Sequence, residues 1–197
     1  MLNDITQSLK SIHDSGLVHK NLHSGNVLIH DDHAFVGDLG LCSKVQDNDS
    51  TSLYGVMPYV APEVLRGNQF TVSSDIYSFG MLMYELAISL PPYHNYSSDE
   101  SLLHDICDEV RPKVPEGIPN CYVELMTKCW SQDPEDRPNA DYLAQIIEGW
   151  NENVSEEFKT AEKFRLSETD KYTDIREKLL GNYKSKALPK FCEISSV

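Results

Sequence analysis

The stretch from Val18 to Gly40 constrains this chain more than any other. A polar loop ends in Asn26, and two short apolar runs follow, Val27 to Ile29 and Ala34 to Val36. Asp31-Asp32 between them is turn chemistry, so the two runs predict a β-hairpin. A hairpin returns the chain to its starting point and so brings the loop before it close to Asp38 after it. The amide oxygen of Asn26 and the carboxylate of Asp38 then share one place. Two hard oxygen ligands suit magnesium, which keeps several waters and takes its remaining ligands from phosphates. Gly40 lets the chain leave Asp38 at an angle that other residues resist.

The rest of the chain is mainly helical in pattern. Leu2, Ile5, Leu9 and Ile12 recur at helical spacing, with Gly16 as a fitting stop. Residues 41–57 are polar, with little periodicity, and predict a mobile surface loop. The run from Ser73 to Ala87 is apolar on most sides with Ser and Asp at its start, which predicts an N-capped, largely buried helix ended by Pro91-Pro92. Three further helices are expected, from Glu100 to Val110, from Tyr122 to Trp130, and through a stripe of Tyr142, Leu143, Ile146 and Ile147. Residues 150–197 change character: Glu, Lys, Ser and Asn dominate. A short surface helix from Ser155 to Leu166 is expected there, and otherwise a largely flexible tail with little tertiary anchoring.

Charge narrows the class of partner. Residues 1–150 hold 22 acids and 8 bases and carry the whole net charge of −14, while residues 151–197 hold nine of each. An acidic folded part argues against nucleic acid or an anionic membrane, both of which need basic patches. Five scattered cysteines without a C-x-x-C pair point to reduced thiols of an intracellular, cytoplasmic protein. No apolar run approaches membrane-spanning length.

The loop and hairpin resemble the catalytic loop and metal-binding hairpin of protein kinases, H-R-D-L-x-x-x-N followed by D-F-G. Here the residues are His19, Lys20, Asn21, Leu22 and Asn26, then Asp38, Leu39 and Gly40. Further along, Ala61-Pro62-Glu63 matches the Ala-Pro-Glu that closes the activation segment. The Ser74-Asp75-Ile76-Tyr77-Ser78-Phe79-Gly80 helix and the distal Arg137 follow in family order. Chance does not supply all five together. The form of the loop, with Cys129-Trp130, Asp133-Pro134 and Arg137-Pro138, is similar to the tyrosine-kinase-like Ser/Thr type.

The resemblance implies a kinase large lobe over residues 1–149, mainly α, with a short hairpin carrying the metal-binding motif. Nothing in the chain matches a glycine-rich phosphate loop, an ATP-contacting lysine or an adenine-binding hinge, so the small lobe is expected to be missing or separate. The resemblance also implies roles. Asn26 and Asp38 would hold Mg2+, Leu28 would lie under the adenine of ATP, and Glu63 would pair with Arg137. Asp75 would accept backbone N–H bonds from the catalytic loop, although a helix N-terminal charge alone explains an aspartate there. Ser50, Thr51, Ser52 and Tyr54 would be phosphorylation candidates in the activation segment. His23 is expected to be a solvated loop histidine.

One departure changes the chemistry. Asn21 stands where the family has the aspartate that accepts or orients the substrate hydroxyl proton. An amide can hydrogen-bond that hydroxyl but cannot take its proton near neutral pH. Losing a positioned general base costs on the order of 10²–10⁴ in rate. Lys20, at the arginine position, offers a point charge without the bidentate fork. Three outcomes are open. The chain is an inactive kinase-like interaction module for other signalling proteins, or an active kinase known here from a truncated sequence. Otherwise it is a fragment whose apolar cleft floor around Leu28 is bare to water.

Overall fold

The computed structural model describes residues 1–44, 53–152, 156–163 and 185–188. Helix α1 (Leu2–Asp14) buries Ile5, Thr6 and Leu9. Gly16 closes it at φ +71, in the left-handed region that glycine enters without a Cβ clash. The buried face of α1 packs on the hairpin and on the last large helix. Strands β1 (Leu17–Val18), β2 (Val27–His30) and β3 (His33–Val36) follow. β2 and β3 form the expected antiparallel hairpin, with Val27 opposite Val36 and His30 opposite His33. Asp4 on α1 fastens the hairpin by accepting the Ala34 N–H at 3.0 Å. That bond, chiefly, holds the Asp4 carboxyl below its usual range.

Strand β4 (Ser43–Lys44) pairs with β1, and β5 (Tyr54–Gly55) pairs with β6 (Lys186–Ala187) from the far end of the chain. Ser50, Thr51 and Ser52 lie outside the described residues. Tyr54 lies in β5 and is exposed. A single helical turn, α2 (Pro62–Leu65), leads into the long α3 (Val72–Ile88).

Helix α3 is the axis of the fold, with every residue from Ser74 to Tyr84 buried. Its cap is Thr71: the Thr71 hydroxyl accepts the Ser74 N–H, while the Ser74 hydroxyl accepts the Thr71 N–H. Its end is not set by Pro91-Pro92, as the sequence suggests. Ser89 takes φ +59 and its N–H closes onto Glu85 O at 2.7 Å, so that Leu90 turns inward before the prolines begin. Gly80 is where α3 meets α5 (Asn120–Cys129). A Cβ built there would lie 2.8 Å from the Cys129 Cβ and 3.2 Å from Met126 O, so only glycine permits this helix spacing.

Helix α4 (Asp99–Cys107) is shorter than its apolar pattern implies. Val110 is exposed, and the chain leaves the helix through Glu109 at φ +67. Arg111 explains the stop: its guanidinium donates to Ile106 O and Val110 O and also to Trp130 O on the far side of the turn. Helix α6 (Ala140–Glu152) buries Leu143 and Ile147 and half-buries Ile146. Tyr142, expected in that stripe, faces water instead.

The tail is better anchored than its composition suggests. Residues 156–163 are helical, and Phe158 meets Trp150 with ring centroids 5.4 Å apart. Farther on, Leu188 is buried in the main apolar cluster. The described architecture is helical with three two-stranded antiparallel ribbons; the sequence pattern anticipates the helices and the β2–β3 ribbon, whereas β4 and β5 fall in the stretch expected to be a mobile loop.

Candidate functional site: the loop between β1 and β2

The loop from His19 to Asn26 is held from below by Asp75, in the first turn of α3. Asp75 is 1% exposed; its carboxylate accepts His19 N–H at 2.7 Å and Lys20 N–H at 2.9 Å. His13 Nε2 lies 2.9 Å from the same carboxylate. A buried carboxylate with this many donors acts as a pin. Lys20 can then take φ +71, a conformation that a lysine adopts only where neighbours fix it.

His19 fastens the loop to the hairpin. Its Nδ1 accepts the Asn21 N–H at 3.2 Å, which leaves the proton on Nε2, 3.0 Å from Gly37 O. Asn26 adds a second tie, donating from Nδ2 to Asn21 O at 2.8 Å, while Gly37 N–H donates to Asn26 O at 2.8 Å. Asp38 then emerges at φ +57. Its Oδ2 accepts from Asn21 Nδ2 at 3.2 Å and from Asn26 Nδ2 at 3.4 Å. Residues 21, 26 and 38, separate in sequence, thus converge on one carboxylate oxygen.

The donor set fits a magnesium–phosphate ligand. Among the described residues there is no group of three or more His, Cys, Asp or Glu able to hold a metal ion. A cation at Asp38 would therefore take one carboxylate, the Asn26 amide, and otherwise water or phosphate oxygens. Magnesium accepts that sparse protein ligation, whereas zinc does not. Leu28, 60% exposed on the hairpin, offers an apolar surface beside this group, and Leu39 is exposed after it.

His23 is not a solvated histidine. It is 6% exposed, its ring lies 5.9 Å from that of Tyr59, and its Nδ1 accepts the Gly25 N–H at 3.1 Å. Burial, with His19 adding to it, pushes its pKa down to about 4, so the ring is neutral at pH 7. The sequence pattern misses this burial because the covering residues come from Tyr59 and the tail. It also misses Glu85 on α3, which accepts the Ser24 hydroxyl at 2.9 Å and the Tyr59 hydroxyl at 2.6 Å and so links the loop to the segment before α2.

Glu63 and Arg137 tie the start of α2 to the loop before α6. Arg137 Nη1 and Nη2 reach the two Glu63 oxygens at 2.7 and 2.8 Å, a bidentate pair. Arg137 also donates to Ser73 O and Ser131 O, and its guanidinium sits 5.2 Å from the centroid of the Tyr77 ring. Cys42, Cys107, Cys121 and Cys129 are free thiols with pKa values raised chiefly by burial, so none is an activated nucleophile. A wide cleft runs from Met1 and Ile29 to Tyr96 and Trp150, and it touches neither Asn21 nor Asp38.

Comparison with known proteins agrees with this geometry. A sequence model of the family described as protein tyrosine and serine/threonine kinase matches residues 1–147. The serine/threonine/tyrosine-protein kinase HT1 of Arabidopsis thaliana is 27% identical over 170 residues, 85% of this chain and 44% of that protein. A probable serine/threonine-protein kinase of Dictyostelium discoideum is 32% identical over 147 residues, covering 73% of this chain and 9% of its own length. A second from the same organism is 30% identical over 146 residues, or 73% of this chain and 10% of its length. The chain thus spans less than half the length of each of these curated relatives. It belongs to the protein tyrosine and serine/threonine kinase family.

Proposed function

We propose that this lobe is catalytically impaired and works in signalling as an interaction module that binds other proteins. The observation that carries this reading is the state of Asn21. Its side-chain amide donates to Asp38 Oδ2 at 3.2 Å, where a general base would have to accept a proton. The amide neutralises nothing and removes nothing; it can orient a hydroxyl and no more. ATP and Mg2+ are the ligands that the family uses, and Asn26, Asp38 and Leu28 are the residues of this chain that would meet them. Bound magnesium would supply charge neutralisation for phosphate oxygens.

In this account Lys20 offers a single cation to the segment around Tyr54, and the phosphorylation candidates Ser50, Thr51, Ser52 and Tyr54 would regulate docking. Two of these relatives are named as probable serine/threonine kinases, which supports a Ser/Thr preference, and the form of the loop is what supports the tyrosine-kinase-like type. No helix among the described residues is long and apolar enough to cross a membrane. We place the module in the cytoplasm, on the free thiols of its described cysteines.

A second reading has its own support. The contact of Asn26 with Asp38 and the Glu63–Arg137 pair support a longer chain that transfers phosphate slowly despite Asn21. The discriminating experiment is Asn21→Asp in the protein at its natural length. The impaired-catalyst reading expects transfer to rise from background by on the order of 10²–10⁴. An unchanged rate would refute the role given to residue 21.

A further inference from the structure

The wide cleft that touches neither Asn21 nor Asp38 has a volume of about 1540 Å3. Pockets for small ligands run to roughly 300–1,000 Å3, so this one has room for a larger occupant. Its walls come from α1, β2, the second half of α3, the loops on either side of α4, the end of α6 and the helical residues 156–163. An aromatic ladder lines one part: Tyr122 stacks on Trp150 with ring centroids 5.8 Å apart, and Trp150 meets Phe158 at 5.4 Å. Leu86 and Ile88 on α3 are only partly buried, and Ile29 on β2 is 64% exposed. A continuous apolar surface of this kind marks a place where a partner sits.

Polar groups in and around the cleft narrow the choice of occupant. Asn3 Oδ1 and His94 Nδ1 belong to lining residues, and both atoms are buried with no hydrogen-bond partner among the described residues. Buried polar atoms are almost always paired, so these two are open to groups from an occupant. Asn3 Oδ1 takes only a donor, whereas His94 Nδ1 donates or accepts according to its tautomer. The lip is acidic. Glu116 and Glu162 line the cleft, and Glu156 and Glu157 line a shallower groove that shares Ile118, Pro119 and Ala161 with it. All four glutamates are exposed. Facing them are Lys113 and Lys159, the latter paired with Glu156 at 2.7 Å. Arg111 also lines the cleft, but its guanidinium is turned onto the Ile106, Val110 and Trp130 carbonyls and the Gln132 amide.

We propose that this cleft docks a basic amphipathic helix of another protein. Its apolar face lies against α3 and the Tyr122–Trp150–Phe158 ladder, and its basic face lies toward Glu116, Glu157 and Glu162. The inference rests on the interaction-module reading and deepens it by naming a surface and a class of partner. It requires neither nucleotide nor residue 21. An extended peptide draws its affinity from a strand edge, and strand residues contribute only Val27 and Ile29 to these walls. Walls made chiefly by helices suit side chains repeating at i, i+3, i+4 and i+7. The acidic lip, in a lobe that carries the whole net charge of −14, speeds the approach of a basic helix and repels an acidic one.

The test uses the natural-length protein and a fluorescein-labelled peptide of leucine and lysine, about four helical turns or roughly 14 residues long, with its leucines on one face. A scrambled peptide of the same composition is the control. Anisotropy without ATP reads affinity, and an unlabelled peptide read by tryptophan emission reports the place of binding. The helical peptide should bind wild type at least about tenfold more tightly than the scrambled one. It should also change the tryptophan emission of wild type but not of Trp150→Phe, which keeps the ring contacts and still binds. Reversing the lip with Glu116→Lys and Glu162→Lys should weaken binding at least about fivefold at low salt and less at high salt. Ile29→Ser, at an exposed position that the fold does not need, should weaken it at both. Equal affinity for helical and scrambled peptides would reduce the effect to charge attraction and overturn the proposal. No binding, or binding that leaves Trp150 unchanged, would overturn it too. Transfer by Asn21→Asp is read separately: its failure with helix binding intact overturns the role of residue 21 alone, and the reverse result overturns this inference alone.

Discussion

Arg137→Ala is the substitution whose cost can be worked out most fully from the structure. The side chain of Arg137 is fully buried and makes two short bonds to Glu63, besides donating to the carbonyls of Ser73 and Ser131. Removing it leaves the Glu63 carboxylate in a site only 9% exposed, with its charge uncompensated. Breaking one side of such a pair costs about 3–5 kcal/mol. A domain of this size has a total stability of about 5–15 kcal/mol, so the loss is about a fifth or more of it. At about 2–4 °C per kcal/mol, the melting temperature should fall by roughly 6–20 °C. Differential scanning calorimetry on wild type, Arg137→Ala, Glu63→Ala and the double variant measures both the cost and the coupling. The double variant should be less damaged than the two single costs added, by about 2 kcal/mol or more. A fall below about 1 kcal/mol for Arg137→Ala, or strict additivity, would show that the pair does not hold α2 to the loop before α6.

Three other outcomes follow from particular contacts. Gly80→Ala forces a Cβ against Cys129 and the α5 backbone, and urea unfolding should show a loss of about 1–3 kcal/mol from overpacking. Asn21→Asp sets a second carboxylate beside Asp38, now 3.2 Å from the Asn21 amide. The repulsion is worth about 1 kcal/mol if water screens it and about 4 kcal/mol near a protein surface. The melting temperature in EDTA should therefore drop, and 10 mM Mg2+, roughly the range in which weak carboxylate sites fill, should restore more of it than in wild type. His23 carries a folded pKa of about 4 against an ordinary 6.5, so the unfolded chain binds the extra proton between those values. Its contribution to stability is complete above pH 6.5 and is lost as pH falls toward 4, with a slope of no more than about 1.4 kcal/mol per pH unit. His23→Gln should flatten that part of the stability profile.

The hairpin, α3 and the meeting of Asn26 with Asp38 were legible because each depends on short-range pattern: alternation, a turn, helical periodicity and fixed spacing. Glu63 and Arg137 lie 74 residues apart, and they were legible only through the resemblance of the motifs around them. What escaped depends on contacts that no local pattern encodes. His23 looks like a loop histidine until Tyr59 and Ser185 cover it. Val110 continues the apolar stripe of α4, yet Arg111 collects the carbonyls at the helix end and the chain turns away. The polar composition of the tail pointed to solvent, and it concealed Leu188, a single aliphatic side chain carried into the core by strand pairing.

The central claim is that Asn21 leaves this kinase-family lobe without a working proton acceptor. Its most direct test is transfer of labelled γ-phosphate to a mixed Ser/Thr/Tyr peptide pool by the natural-length protein, with Asp38→Ala as the control. The account predicts that wild type and Asp38→Ala give the same background signal. Robust transfer by wild type that Asp38→Ala abolishes would contradict it.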